Sequence, residues 1–421
     1  MLRQPTVSSK IGATGADNSL RRGSWSRSLL PFALSLALSF LTPLRSAASD
    51  EVDPWAYAYA GQDHFYNLEY REALADFDRA LAIEPRNPVF HNYVANTLLF
   101  QEMYRLGLLD GNLYDASNSF LEVKKLEPDP EQIAKLKATL ARVRALCEAR
   151  LKENSRDTEA LYALGISYAI EGSYKFTIEK SWLDALRTGS RANEFHEKLL
   201  RLDPTYHDAK LVPGVYQYVM GSIPGGVKWL AFLFGYRGSR TRGLQLMQEA
   251  MTHGKHATSA AAFLLAVAYT RERYHQYSRQ ILSSLADYYP RNPLIRLEIA
   301  RTYSREGNQE KALEAYVQVA RDMERGRPGY NKLPRERLWY QIGVLYQKQN
   351  QWNEALDAYA RVTEKPTADG LLKAYTGLRR GEIFLAQNHP DRARAEFERV
   401  AAMPYEEARR QAEERLRTLG R

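Results

Sequence analysis

The chain has 421 residues, 44% hydrophobic and 26% charged, with a formal net charge of +9. This is globular composition, which excludes wholesale disorder, a collagen-like repeat and a multi-span membrane protein. Residues 1–48 carry +5 of the charge and the other 373 carry +4, so the basic total is no argument for nucleic acid. Cys147 is the single cysteine, which rules out an internal disulfide and a thiolate-rich metal site.

Residues 1–48 read as an export signal. Arg21, Arg22 and Arg27 precede an apolar run from Leu29 to Leu41, and Pro43, Arg45 and the small residues Ser46, Ala47 and Ala48 come after it. A positive segment, a short apolar core and a small-residue cleavage point are the secretory pattern. The apolar run is shorter than the roughly 20 residues that a membrane-spanning helix needs. Cleavage near Ala48 places the mature chain in the periplasm or at the outer envelope; an uncleaved inner-membrane signal anchor is the alternative. The Arg21-Arg22 pair also fits a twin-arginine signal, although Gly23-Ser24 stands where that route expects an apolar residue.

Repeats organise the rest of the chain. From Ser259 a unit of 34 positions has apolar or small residues at 4, 7, 8, 11, 20, 24 and 27 and a proline near 32: Ala262, Leu265, Ala266, Tyr269, Ser278, Leu282, Leu285 and Pro290. The pattern returns from Pro293 (Ile299, Ala300, Tyr303, Ala312, Tyr316, Val319), from Glu336 (Trp339, Ile342, Gly343, Tyr346, Ala355, Tyr359, Val362) and from Ala374 (Gly377, Phe384, Ala393, Phe397, Val400). A further unit starts at Pro54 (Tyr57, Ala60, Gly61, Ala73, Phe77, Ala80), and Thr158 opens another first helix with Leu161, Leu164, Gly165 and Tyr168. Small residues at positions 8 and 20 let two antiparallel helices approach, aromatics at 11 and 24 fill the space between units, and the proline stops the second helix. The spacing from Pro293 to Glu336 is nine residues too long, and the excess falls around Gly326-Arg327-Pro328-Gly329-Tyr330, a loop signal. The stretches 86–128 and 158–204 are also long for one unit.

This pattern resembles the tetratricopeptide repeat. The resemblance implies an all-α, right-handed superhelical solenoid of antiparallel helix pairs, which binds partners along its concave face. The segments are then 1–48 export signal, 49–207 N-terminal repeats with insertions, 208–257 an atypical hydrophobic helical hairpin, 258–404 C-terminal repeats and 405–421 a charged capping helix. Within 208–254 there are eight glycines and an apolar run, Val227–Phe234, broken only by Lys228. Gly214 with Tyr216 and Tyr218, then Pro224, then the apolar run, then Gly235-Tyr236-Arg237-Gly238-Ser239-Arg240 leading to Gly243-Leu244, resemble the eukaryotic tetratricopeptide-repeat family related to inclusion-body clearance.

No catalytic constellation is present: there is no phosphate-binding glycine loop, no HExxH and no GxSxG. His253 and His256 share a helical spacing but have no cysteine or well-placed carboxylate, so neither metal nor cofactor is expected. The sequence therefore reads as a non-catalytic scaffold for a protein or peptide partner in the cell envelope, with no role for nucleic acid. By the resemblance, first-helix positions 2, 5, 9 and 12 line the concave face. These put Phe263, Val267, Leu297, Arg301, Ser304, Arg337, Tyr340 and Gln347 on a mixed, aromatic and mildly basic groove, suited to a peptide with some acidic character. The Asn/Lys set with which chaperone-binding members of the family clamp a C-terminal carboxylate is absent. The alternative is a small or lipidic ligand, or peripheral membrane contact, through Trp229, Phe232 and Phe234 in the central segment.

Overall fold

The computed structural model describes residues 53–109, 127–223, 237–363 and 369–420. These are all-α, with no strand among the described residues. The helices are α1 Pro54–Tyr66, α2 Tyr70–Ile83, α3 Pro88–Arg105, α4 Pro130–Glu153, α5 Thr158–Thr177, α6 Trp182–Leu202, α7 Leu211–Ser222, α8 Arg240–His253 and α9 Thr258–Arg271. They continue with α10 His275–Tyr288, α11 Pro293–Glu306, α12 Gln309–Glu324, α13 Arg335–Lys348, α14 Trp352–Thr363, α15 Gly370–Ala386, α16 Pro390–Ala401 and α17 Glu406–Leu419. None of the described helices is long and apolar enough to cross a membrane.

The starts are written locally. Asp53-Pro54, Asn87-Pro88, Asp129-Pro130 and Asn292-Pro293 each place a capping carboxylate or amide before a proline at the first helical position. The side chain accepts an amide hydrogen of the first turn, while the proline has no N–H to leave unpaired. Short turns then fold each helix back on the next as antiparallel pairs, and neighbouring pairs stack into a solenoid.

Inside a pair, a glycine on the first helix faces a ring on the second. A Cβ on Gly61 would lie 2.6 Å from Phe77, on Gly343 2.5 Å from Tyr359 and on Gly381 2.4 Å from Phe397. The repeat's small and aromatic positions are thus one contact seen from two sides.

Of the three overlong stretches, 86–128 falls partly outside the described residues and the other two have different causes. In 158–204 both helices are simply longer, 20 residues in α5 and 21 in α6. After α12 the chain inserts a real loop, with Gly326 and Gly329 at φ +69° and +86° and a 3-10 turn at Tyr330–Lys332 that buries the Tyr330 ring completely. The central segment, whose apolar run 227–234 lies outside the described residues, supplies an antiparallel pair, α7 and α8, in close contact at its glycines. One buried carboxylate ties it to the next unit: Asp208 Oδ1 accepts the backbone N–H groups of Lys255, His256 and Ala257 at 2.8, 3.0 and 2.9 Å. Asp208→Ala leaves three amides without an acceptor, and urea unfolding will read a loss of about 2–3 kcal/mol.

Candidate partner-binding groove

The N-terminal pair covers groove positions of the central units. Helix α1 lies against the central units. Trp55 stacks on His256 with ring centroids 4.5 Å apart, and Tyr66 stacks on Phe263 at 5.5 Å and meets Tyr289 at 4.9 Å. Phe65, Leu68 and Tyr70 form a cluster that takes in Leu294 of α11. Of the groove positions expected from the sequence, Phe263 is therefore covered by the chain's own Tyr66 and does not face an open groove. Leu297 is also not available: it is 6% exposed and packed in the core with Ala300, Tyr316 and Leu338. Periodicity marks out a face of each helix, but it cannot show what lies on that face.

Val267, Arg301 and Ser304 are partly buried. Arg301 is engaged by its own helix, with Nη1 3.4 Å from Glu298 Oε2. Glu298 is 2% exposed and is held by Arg305 as well. Burial pushes the Glu298 carboxyl above its ordinary range, against the opposing pull of Arg305 and Arg301. Arg301 thus shares a single carboxylate with Arg305 within α11.

The C-terminal half has two adjoining clefts. One, of about 340 Å³, is lined by Tyr340, Tyr375, Leu378, Arg379, Glu382 and Gln411. The other, of about 290 Å³, is lined by Val344, Gln347, Lys348, Trp352, Arg379, Glu382 and Ala386. Arg379 and Glu382 are common to both, so the two form one surface across α13, α15 and α17. Tyr340 and Gln347, both expected from the repeat spacing, lie here, and Arg337 is exposed at the start of the same helix α13.

A polar network presets this surface. The Tyr359 hydroxyl donates to Gln347 Oε1 at 2.8 Å, and Gln347 Nε2 donates to Glu382 Oε2 at 3.3 Å. Arg379 donates to Glu382 Oε2 at 3.1 Å, and Arg415 to Glu382 Oε1 at 3.2 Å. Burial works against the Arg379 charge, but its hydrogen bond with Tyr340 and the Glu382 carboxylate outweigh this and raise its pKa. With Lys348 and Arg415 beside one carboxylate, the cleft keeps a positive balance over an apolar floor of Leu378, Trp352 and Val344. Glu382 stands at groove position 9 of the loosely matching unit from Ala374, whereas Arg379 at position 6 and Arg415 in α17, which belongs to no unit, escape the groove positions.

Trp229, Phe232 and Phe234 lie outside the described residues. His253 meets the ring of His207 at 5.0 Å, while His256 is stacked on Trp55. The two histidines thus face different partners, and among the described residues no group of three or more His, Cys, Asp or Glu is arranged to hold a metal.

Residues 208–367 match the family model for Iml2/Tetratricopeptide repeat protein 39. The match takes in the central segment and the repeats as far as residue 367, so these residues carry a tetratricopeptide-type repeat with an Iml2-like central part. Yeast Tom70 is similar at 14% identity, covering 87% of this chain and 89% of its own, with a TM-score of 0.34. A thermophilic tetratricopeptide-repeat protein of Thermus thermophilus is similar at 14% identity, covering 59% and 98%, with a TM-score of 0.32. One from Parabacteroides merdae is similar at 14% identity, covering 88% and 99%, with a TM-score of 0.28. Comparison with curated proteins gives no match.

Proposed function

We propose that this chain is a non-catalytic scaffold, exported to the cell envelope, that binds a protein or peptide segment in the cleft between α13, α15 and α17. The observation that carries the reading is the pair of adjoining clefts built on Arg379 and Glu382, left uncovered by the other described residues while Phe263 is covered by α1. Preformed walls mean that binding orders the ligand far more than the receptor. The ligand chemistry that suits the cleft is an apolar or aromatic side chain for the Leu378–Trp352 floor, with a carboxylate for Arg379. Export rests on the charged, apolar and small-residue order of residues 1–48.

The test is site-directed photocrosslinking in intact envelopes, with a photoreactive residue in place of Gln347. A discrete adduct that disappears with Arg379→Glu and persists with the distant Arg187→Glu supports the cleft. An adduct pattern indifferent to Arg379→Glu overturns it. Fractionation of the same cells checks the compartment: recovery of the chain in the cytoplasm would sink export without touching the cleft.

A further inference from the structure

The contact between α1 and the central units combines stacked rings with a dense set of directed polar contacts. Arg291 reaches across more than 220 residues of sequence: Nε and Nη2 hold both oxygens of Glu69 at 2.9 and 3.0 Å, and Nη2 also meets Asp63 Oδ2 at 2.7 Å. The Arg291 backbone N–H donates to Asn67 Oδ1 at 2.9 Å, and Asn292 Nδ2 donates to the Tyr66 carbonyl at 2.7 Å. Lys332 Nζ donates to the Leu68 carbonyl at 3.1 Å. Arg291 and Asn292 lie in the short turn between α10 and α11, and only Lys332 sits where the repeat is broken. Lys332 belongs to the insertion after α12, and Gly329 of that insertion abuts Arg291, since a Cβ there would overlap the Arg291 carbonyl at 1.9 Å.

The segment that is held is also unlike its counterparts. The turns after α9, α13 and α15 place Arg273, Asn350 and Asn388 at positive φ, all exposed. The turn after α1 places Leu68 at φ +61°, and it is 9% exposed. A leucine in that conformation gains from burial against α11 what it loses in backbone strain.

We propose that Arg291, Asn292, Lys332, Phe263, Tyr289 and Leu294 form a recognition site for a helix ending in an aromatic residue followed by Asn-Leu-Glu, with an acid one turn earlier. The chain's own residues 53–69 are its resident, exchangeable ligand. The ion pairs are partly exposed, with side-chain exposures of 32% for Arg291, 48% for Asp63 and 18% for Glu69, so solvent and salt reach them. A tethered ligand acts at an effective concentration on the order of millimolar, so any segment of the same chemistry meets an occupied site. Weakening the cis contact therefore strengthens trans binding, by the fraction of chains that it opens. The site shares no residue with the C-terminal cleft, and its test reads neither cleft nor export.

The experiment uses the full chain and a fluorescent synthetic peptide of residues 53–69. Anisotropy titration is run against wild type, against Asp63→Arg/Glu69→Arg, and against that variant carrying Arg291→Glu as well. The expected result is binding to the double variant at least tenfold tighter than to wild type, lost again by tenfold or more in the triple variant. Equal binding to wild type and double variant, or binding to neither, overturns the proposal. Should the variants fail to fold, hydroxyl-radical footprinting of wild type decides the matter. Tyr66, Phe263 and Tyr289 gain reactivity together as salt rises from about 50 mM to 1 M, where surface ion pairs are screened; unchanged reactivity would refute an exchangeable ligand.

Discussion

Gly243→Ala will cost about 3 kcal/mol of unfolding free energy, at the upper end of what one added methyl does. Helices α7 and α8 cross with their backbones in contact. A Cβ on Gly243 would stand 2.5 Å from the Tyr218 backbone nitrogen and 2.7 Å from the Gly214 carbonyl oxygen. The same is true further along the crossing, where a Cβ on Gly221 would stand 2.5 Å from the Arg240 nitrogen and one on Gly238 2.6 Å from the Gln217 carbonyl. Backbone atoms cannot rotate aside as a side chain can, so the added carbon forces the helices apart. Separation uncovers Tyr218 and Met247, which share a core with Leu265 and Leu282 of the following unit, so the loss spreads beyond the pair. Gly189, in the middle of α6, is the control: a Cβ there meets nothing within 4 Å. Gly189→Ala gains the helix propensity that glycine lacks, up to about 1 kcal/mol. Urea midpoints for the two variants should move in opposite directions. If Gly243→Ala falls within about 1 kcal/mol of wild type, the close crossing of α7 and α8 is wrong.

The repeats are legible in the sequence because their signals are local. Asn-Pro and Asp-Pro mark the starts of α1, α3, α4 and α11, and a small residue sixteen positions before an aromatic recurs in the units from Pro54, Pro293, Glu336 and Ala374, without reference to the rest of the chain. Starts read at Pro54, Thr158 and Pro293 coincide with α1, α5 and α11, and those at Ser259 and Glu336 fall one residue inside α9 and α13. The closure of α1 on the central units is not legible, because it depends on Arg291, Asn292 and Lys332 meeting side chains and carbonyls far away in sequence. Two marks of it are present: the nine extra residues around Gly326–Tyr330, and a leucine at the α1–α2 turn where other units carry Arg, Asn, Lys or Gly. Both are departures from the pattern, and a departure shows that something differs without showing what it touches. The glycines of the central segment are visible as an excess, but only the helix crossing itself pairs Gly243 with Tyr218 and Gly238 with Gln217.

Acidification from pH 7 to 4.5 should remove about 2–3 kcal/mol of stability through one residue, His196. Where the pairs built on Gly61, Gly343 and Gly381 lay an aromatic ring on the first-helix glycine, the α5–α6 pair has His196, whose Cδ2 would stand 2.1 Å from a Cβ on Gly165. The imidazole is 0% exposed, with Nδ1 3.0 Å from the Ala209 carbonyl oxygen and Nε2 3.1 Å from that of Tyr162. A neutral imidazole donates to one of these and turns a lone pair toward the other, whereas an imidazolium donates to both. Burial opposes the charge and prevails over the two carbonyls, lowering the pKa from its ordinary 6.5 to about 4. The sign comes from the protons bound. Between pH 6.5 and 4 the unfolded chain holds a proton on His196 that the folded chain does not, so stability falls as pH falls through this window and is unaffected above it. At about 1.4 kcal/mol for each pH unit crossed in that window, most of the loss has accrued by pH 4.5. His196→Gln is less stable than wild type at pH 7, because a flexible amide fills the ring's place poorly, yet the gap narrows on acidification because glutamine does not titrate. Urea midpoints for both proteins at pH 7 and 4.5 measure the difference. A gap that stays constant would mean that the folded and unfolded chains hold the proton equally, and that the two carbonyls offset the burial. A gap that widens would mean that the folded chain holds an imidazolium at the centre of the α5–α6 pair.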